Sequence, residues 1–394
     1  MFSSIGKFIT ELTHGLQDRE DEDKRSCYRG SKKTIEKTKK AIKVVNEDDD
    51  SVEYVQYIKK NEKDISKYKA LVLQGGGMRG IVFLGGLRAL EKLGVMQNIE
   101  FFAGTSVGAL LGLVMYLGYP VNYFINWVTR DDFIESIFGY TMEEMESFSI
   151  MKLISIGTEY GTLSTEYLQR VIMSLIARSP ILGGRGTGME TFRDLYEASG
   201  KTFMCTGTCM NTSCEYYFSH DLTPDMPVCV AACISLCVPF LFKPIYYDCK
   251  YWVDGGLIQN LPVDMTKRYV KKEEILCFCI VSKKFSSSNG SLTLRQWQNP
   301  HDILNPYYER PFGAPPRTFD PLYEPFIEIR GIESYIMAFL KASQNYQSIK
   351  PDTKTSLVTF SCSMDLLSFS FNTDYATKKK YIEYSYSKAI KYLS

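Results

Sequence analysis

Histidine is scarce in this chain, with three residues among 394, at positions 14, 220 and 301. So few imidazoles disfavour multi-histidine metal sites and leave little choice of general base. A surplus of one charge is missing too. Lys and Arg number 46 against 45 Asp and Glu, a formal net charge of +1. Such a balance provides no field to gather nucleic acid, and no nucleic-acid partner is expected. No basic segment followed by an apolar run opens the chain, so a secretory leader is not expected. The eleven cysteines are accordingly read as reduced thiols of a cytoplasmic protein. Cys205, Cys209 and Cys214 lie ahead of His220, and Cys229, Cys233 and Cys237 recur at every fourth position. Neither group has the paired C-x-x-C spacing of common zinc sites, and no metal is expected.

One long run lacks charge altogether, from Phe101 to Trp127, and its Gly104, Gly108 and Gly112 have the spacing of a membrane helix-packing motif. "GTSVG" near its start and "GYP" at 118–120 break it, however. A strand, a tight turn and a buried helix fit those breakers, and no transmembrane segment is expected.

What is present divides at about residue 67. Phe2, Ile5, Phe8, Ile9, Leu12 and Leu16 fall at helical spacing, which predicts an amphipathic helix over 1–16 that docks on its own domain or lies on a membrane surface. Residues 18–53 carry 21 charges in blocks, with nine Lys or Arg and one Glu between Lys24 and Lys43. They read as a solvated linker whose blocks neutralise each other, with phosphate headgroups as the other possible contact. Residues 1–67 are therefore taken as an N-terminal extension and 68–394 as the main domain.

From Tyr68 onward the pattern alternates. "KALVLQ" predicts a strand, 80–93 a helix, "IEFFAG" a strand and 107–117 a helix, which together describe a parallel sheet with crossover helices. "KTFMCTGTCM" and "CEYYFS" predict an antiparallel pair, and "EEILCFCIV" a further buried strand. Seven of the fifteen prolines fall in 285–325, predicting a long irregular excursion, and helical patterns close the chain at 331–347 and 376–393.

Two glycine-rich turns then carry the chemistry. Gly75, Gly77 and Gly80 satisfy G-x-G-x-x-G, the dinucleotide-binding fingerprint, but the second strand does not end in the acidic residue that a ribose requires. It ends in Gly104-Thr105-Ser106-Val107-Gly108, a G-x-S-x-G sequence in the strand-to-helix setting of a nucleophile elbow. Adjacent parallel strands would bring both turns to one sheet edge. Bare backbone N–H groups of the first could then face an oxyanion held over Ser106, each such donor being worth about 3–4 kcal/mol. Two bases are open to that serine. Asp254, in "YWVDGGLIQNLPVD", could take the proton directly, or Ser106, Asp254 and His301 could form a triad in Ser…Asp…His order. A nucleotide-binding protein is the reading from another class.

In this order, "GGGMRG", "GTSVG" and "DGG" resemble the signatures of patatin-like phospholipases. "ISLCVPFLFKP" at 234–244 resembles a fourth, with Ser235, Pro239, Phe242 and Pro244 in place and Ile234 and Cys237 departing from it. The resemblance spans about residues 68–270. It implies an α/β fold, a three-layer α/β/α sandwich around a mainly parallel sheet, and a lipid acyl hydrolase acting without cofactor through a serine–aspartate dyad. By this resemblance Ser106 is the nucleophile, Asp254 the base, and Gly75, Gly76 and Gly77 form the oxyanion hole. Arg79 and Gly80 order that loop, and the implied partner is a phospholipid or other acyl lipid at a membrane surface.

Overall fold

Short apolar strands, buried on both faces, pair in parallel and organise the chain. The structure is a computed structural model that describes residues 54–57, 64–146, 149–282, 326–344, 346, 356–362 and 373–393. The amphipathic pattern at 1–16, the charge blocks at 18–53, His14, His301 and the proline-rich 285–325 lie outside the described residues.

Nine strands form the main sheet: β1 (Tyr54–Tyr57), β2 (Ala70–Leu73), β3 (Phe101–Gly104), β5 (Thr202–Cys209), β6 (Cys214–Phe218), β8 (Ile245–Tyr247), β9 (Lys250–Asp254), β10 (Ile275–Ser282) and β11 (Ser356–Cys362). β4 (Gly161–Leu163) and β7 (Phe240–Phe242) pair separately. The order across the main sheet is β1-β11-β10-β2-β3-β5-β9-β8, with β6 on β5. The five strands from β11 to β5 run parallel, while β1, β6, β8 and β9 pair antiparallel. β1 falls within the 1–67 segment assigned to an extension, and it pairs along β11 from Tyr54↔Phe360 to Tyr57↔Leu357.

Alternation along the strands builds the layers. One face sends Phe278 and Phe360 against Phe83 of α1 (Ile81–Lys92), with ring centroids 6.0 Å from Phe83 in both cases. Ala70, Val72, Phe101, Ala103, Met204 and Cys277 gather in a second cluster, with Leu261 and Met265 of the segment that follows β9. α2 (Val107–Tyr116) and α3 (Val121–Val128) divide the uncharged run at the predicted breakers. Among the described residues, no helix is long and apolar enough to cross a membrane. α4 (Val228–Leu236) is almost wholly buried, and α5 (Ile332–Gln344) and α6 (Tyr375–Leu393) follow β10 and β11.

The register sets up the site. β3 ends with Gly104 opposite Cys205 of β5. β6 occupies the other edge of β5, so β9 continues along the edge where β3 stops and sets Asp254 opposite Gly207. Two residues along a strand are about 7 Å. The turn that leaves β3 therefore runs into the end of β9.

Candidate active site

Thr105 and Ser106 are the two residues between β3 and α2, and the Ser106 backbone has φ 55° and ψ −128°. A non-glycine residue there costs about 1–3 kcal/mol and persists only where its surroundings enforce it. Three hydrogen bonds supply that enforcement. The Ser106 N–H donates to Ser235 Oγ of α4 at 3.0 Å. Thr105 Oγ1 donates to the Gln259 carbonyl at 3.0 Å and pairs with Thr206 Oγ1 at 2.7 Å. A methyl group on Gly108 would collide with the Leu73 carbonyl, so the glycine lets α2 start directly against the end of β2.

Asp254 ends β9 and is buried, at 5% exposure. Its backbone is fixed on both sides: the N–H donates to the Cys237 carbonyl at 2.8 Å, and the carbonyl accepts from Thr208 Oγ1 at 3.1 Å. Its Oδ1 accepts the Gly256 N–H at 2.7 Å. Burial pushes the carboxyl up to about 7, and the neighbouring Ser106 hydroxyl and Gly256 N–H oppose the rise. An ordinary aspartate, near 3.9, is a poor base; one near 7 is matched to proton transfer at neutral pH.

The glycine-rich loop leaves β2 beside this pair. Gln74 Oε1 accepts the Ile280 N–H at 2.7 Å, which ties the start of the loop to β10. The Gly75 N–H, expected to serve as an oxyanion donor, instead donates to the Asn260 carbonyl at 3.1 Å. That bond uses its one proton, so of the three glycine N–H groups only those of Gly76 and Gly77 remain uncommitted among the described residues. Among the described residues neither of those N–H groups donates to the protein. The Gly76 carbonyl accepts from the Arg79 N–H at 3.2 Å and from Arg79 Nε at 3.4 Å. Gly77 sits at φ 55°, and a methyl group on Gly80 would stand 2.7 Å from Val107 Cγ1, so this turn packs on the first residue of α2.

His220 is stacked on Tyr196, with ring centroids 3.8 Å apart. Every cysteine from Cys205 to Cys279 is buried except Cys249, and no group of three or more His, Cys, Asp or Glu among the described residues is arranged to hold a metal ion. Ser235 and Asn260 are the two contributors that motif reading left without a role. Asn260 stands inside the quoted "DGGLIQN", but nothing in its local sequence shows a contact with Gly75, 185 positions away.

A serine hydroxyl on a strained elbow, a buried carboxyl and a loop of bare N–H groups thus meet at one edge of an α/β sheet, an arrangement that can support serine hydrolase chemistry. The model of the family described as patatin-like phospholipase matches residues 71–267, half of the chain, and the chain belongs to that family. Among curated relatives, "Probable lipid hydrolase 463L" of Invertebrate iridescent virus 6 is 29% identical over 52% of this chain and 66% of that protein. Lysophospholipase nte1 of Aspergillus fumigatus is 26% identical over 50% of this chain and 11% of that protein. Triacylglycerol lipase 4 of Saccharomyces cerevisiae is 23% identical over 52% and 23%. The chain thus spans under two thirds of the length of each of these relatives. Among solved structures, VipD from Legionella pneumophila aligns with a TM-score of 0.46 at 15% identity, over 83% of this chain and 67% of that one.

Proposed function

We propose that the protein is a lipid acyl hydrolase of phospholipase A type, working through an acyl-serine on Ser106 with Asp254 as its base. The observation that carries this reading is the Ser106 hydroxyl, on its strained elbow, beside a buried Asp254 carboxyl that burial pushes up to about 7. Ser106 Oγ attacks the ester carbonyl while the carboxylate takes its proton. Negative charge develops on the carbonyl oxygen, toward the Gly76 and Gly77 N–H groups, which are preset and need no reorganisation. The carboxylic acid then returns its proton to the leaving alcohol as the carbon–oxygen bond breaks. Water, deprotonated by the same carboxylate, attacks the acyl-serine, and the fatty acid leaves. A peripheral membrane surface is the natural place for such a substrate, and the names of the relatives, all lipid or lysophospholipid hydrolases, support an acyl-lipid ester.

The test is fatty-acid release from phosphatidylcholine vesicles, followed by mass spectrometry. Wild type should release fatty acid and react with a fluorophosphonate at Ser106 alone. Ser106→Ala and Asp254→Asn should each lose at least about 10³-fold in turnover while remaining folded by circular dichroism. Full turnover in folded Ser106→Ala would sink the reading.

A further inference from the structure

One residue joins the two halves of the site without belonging to either motif. Asn260 holds Gly75 from both sides: its backbone carbonyl accepts the Gly75 N–H at 3.1 Å, and its Nδ2 donates to the Gly75 carbonyl at 3.3 Å. The fit is tight. A methyl group on Gly75 would collide with Asn260 Oδ1, and it would also stand 3.2 Å from Ser106 Cβ. On its other side Asn260 Oδ1 faces the turn after Asp254, where a methyl group on Gly256 would lie 3.0 Å away. The preceding residue works in the same direction. The Gln259 carbonyl accepts Thr105 Oγ1, and Thr105 pairs with Thr206 on β5. Residues 259 and 260 therefore bind the oxyanion loop, the serine elbow and the aspartate turn into one body.

We infer that Asn260 is a positioning residue that fixes the Gly76 and Gly77 N–H groups over Ser106. It touches no reacting atom. Both hydrogen bonds to Gly75 are made by residue 260, so the loop's first peptide moves only if Asn260 moves. The two donors follow within the next two residues, which leaves little chain to absorb a displacement. Misplacement of reacting groups by about 1 Å can cost on the order of 10²-fold in rate. Loss of the Nδ2 bond alone leaves the backbone bond in place, so the expected loss is smaller, about 10- to 100-fold in kcat. This inference rests on the acyl-hydrolase reading above.

Asn260→Ala in the full chain tests it, with Asn260→Ser as the second variant should the first not fold. A soluble short-chain ester gives kcat and KM, and a trifluoromethyl ketone, which adds to the serine as a tetrahedral mimic, gives an inhibition constant. The expected result is a kcat lower by about 10- to 100-fold, KM within about twofold, and ketone affinity weakened by the same factor as kcat. The acid limb of the pH–rate profile should stay near pH 7, because Asp254 keeps its burial and its bond from the Gly256 N–H. Gly75→Ala should cost less in the Asn260→Ala background than in wild type, because the colliding Oδ1 is gone. Wild-type kcat and ketone affinity in a folded Asn260 variant would overturn the clasp. So would additive effects of the two substitutions. Ser106→Ala is run alongside: its retained turnover would overturn the hydrolase reading itself, whereas an inactive Ser106→Ala beside an unimpaired Asn260 variant overturns only the clasp.

Discussion

The site is built from two glycine-rich turns that look alike in sequence and use their glycines for different physical ends. In the elbow, Gly104 and Gly108 face backbone: a methyl group on either would collide with main-chain atoms, of the 108–109 peptide for Gly104 and of Leu73 for Gly108. In the loop after β2, Gly76 faces only the tip of a side chain, with Ile280 Cδ1 at 2.5 Å from an added methyl and the next atom at 3.8 Å. The elbow glycines are thus required for the fold to close. Gly76 leaves its N–H uncovered, and the fold should survive its replacement. A glycine motif by itself cannot separate these roles, because both appear in sequence as the same missing side chain.

The largest effect that would break this comparison belongs to the elbow. Gly108→Ala should lose at least about 3 kcal/mol of stability, because backbone on both sides of the clash prevents cheap relief. Thermal unfolding by circular dichroism checks it, and a variant as stable as wild type would mean that α2 can shift away from β2 without penalty. Asp254 provides an effect of similar size and opposite sign. Its folded value near 7 lies above the unfolded value of 3.8, so its favourable contribution is fully present only below pH 4 and is lost as pH rises through 7. Asp254→Asn carries no such charge. Its stability relative to wild type should rise between pH 4.5 and pH 8, toward a limit of about 4 kcal/mol, while activity is lost. A gap between the two melting curves that does not change with pH would show that the carboxyl titrates as an exposed aspartate does.

The loop should respond in the opposite way to the elbow. Gly76→Ala has only the end of a flexible isoleucine to displace, so unfolding should shift by less than about 1 kcal/mol. The added methyl group should nevertheless disturb the N–H proposed to face the oxyanion. A fall in kcat of about 10²-fold with a nearly unchanged melting temperature is expected, and steady-state kinetics beside differential scanning fluorimetry measures both.

Much of this site could be read from sequence, because the elements that carry it are local. The strand–glycine–helix pattern around Ser106 and the apolar strand ending in Asp254 each lie within about a dozen residues. The alternating strands of a mainly parallel sheet could be read for the same reason: β2, β3 and β10 are continuous apolar runs, as strands covered on both faces must be. What escaped reading depends on pairing across the chain. β1 has no distinctive pattern and becomes a strand through β11, about 300 residues later. Ser235 and Asn260 acquire their roles only when β5 and β9 bring them beside Ser106 and Gly75. The Gly75 N–H was read as a free donor because its acceptor, the Asn260 carbonyl, is on a distant segment.

The smallest effect expected separates ordering of the loop from its chemistry. The Gly76 carbonyl receives two donors from one residue, the Arg79 backbone N–H at 3.2 Å and the Arg79 Nε at 3.4 Å. The second is at the long limit of a hydrogen bond and therefore weak. Arg79→Ala removes that bond and keeps the backbone bond, so the turn should hold its shape most of the time. A loss of about 1 kcal/mol or less corresponds to a fall in kcat of no more than about fivefold. Stability should not change measurably, since the packing of the turn on Val107 is made at Gly80 and stays in place. Arg79→Lys should behave like the alanine variant, because a lysine ammonium cannot occupy the place of a guanidinium Nε with the same direction. A loss of 10²-fold or more in either variant would give the guanidinium a direct part in stabilising the oxyanion, and the distinction between a loop that is ordered by Arg79 and one that shares its chemistry with it would fail.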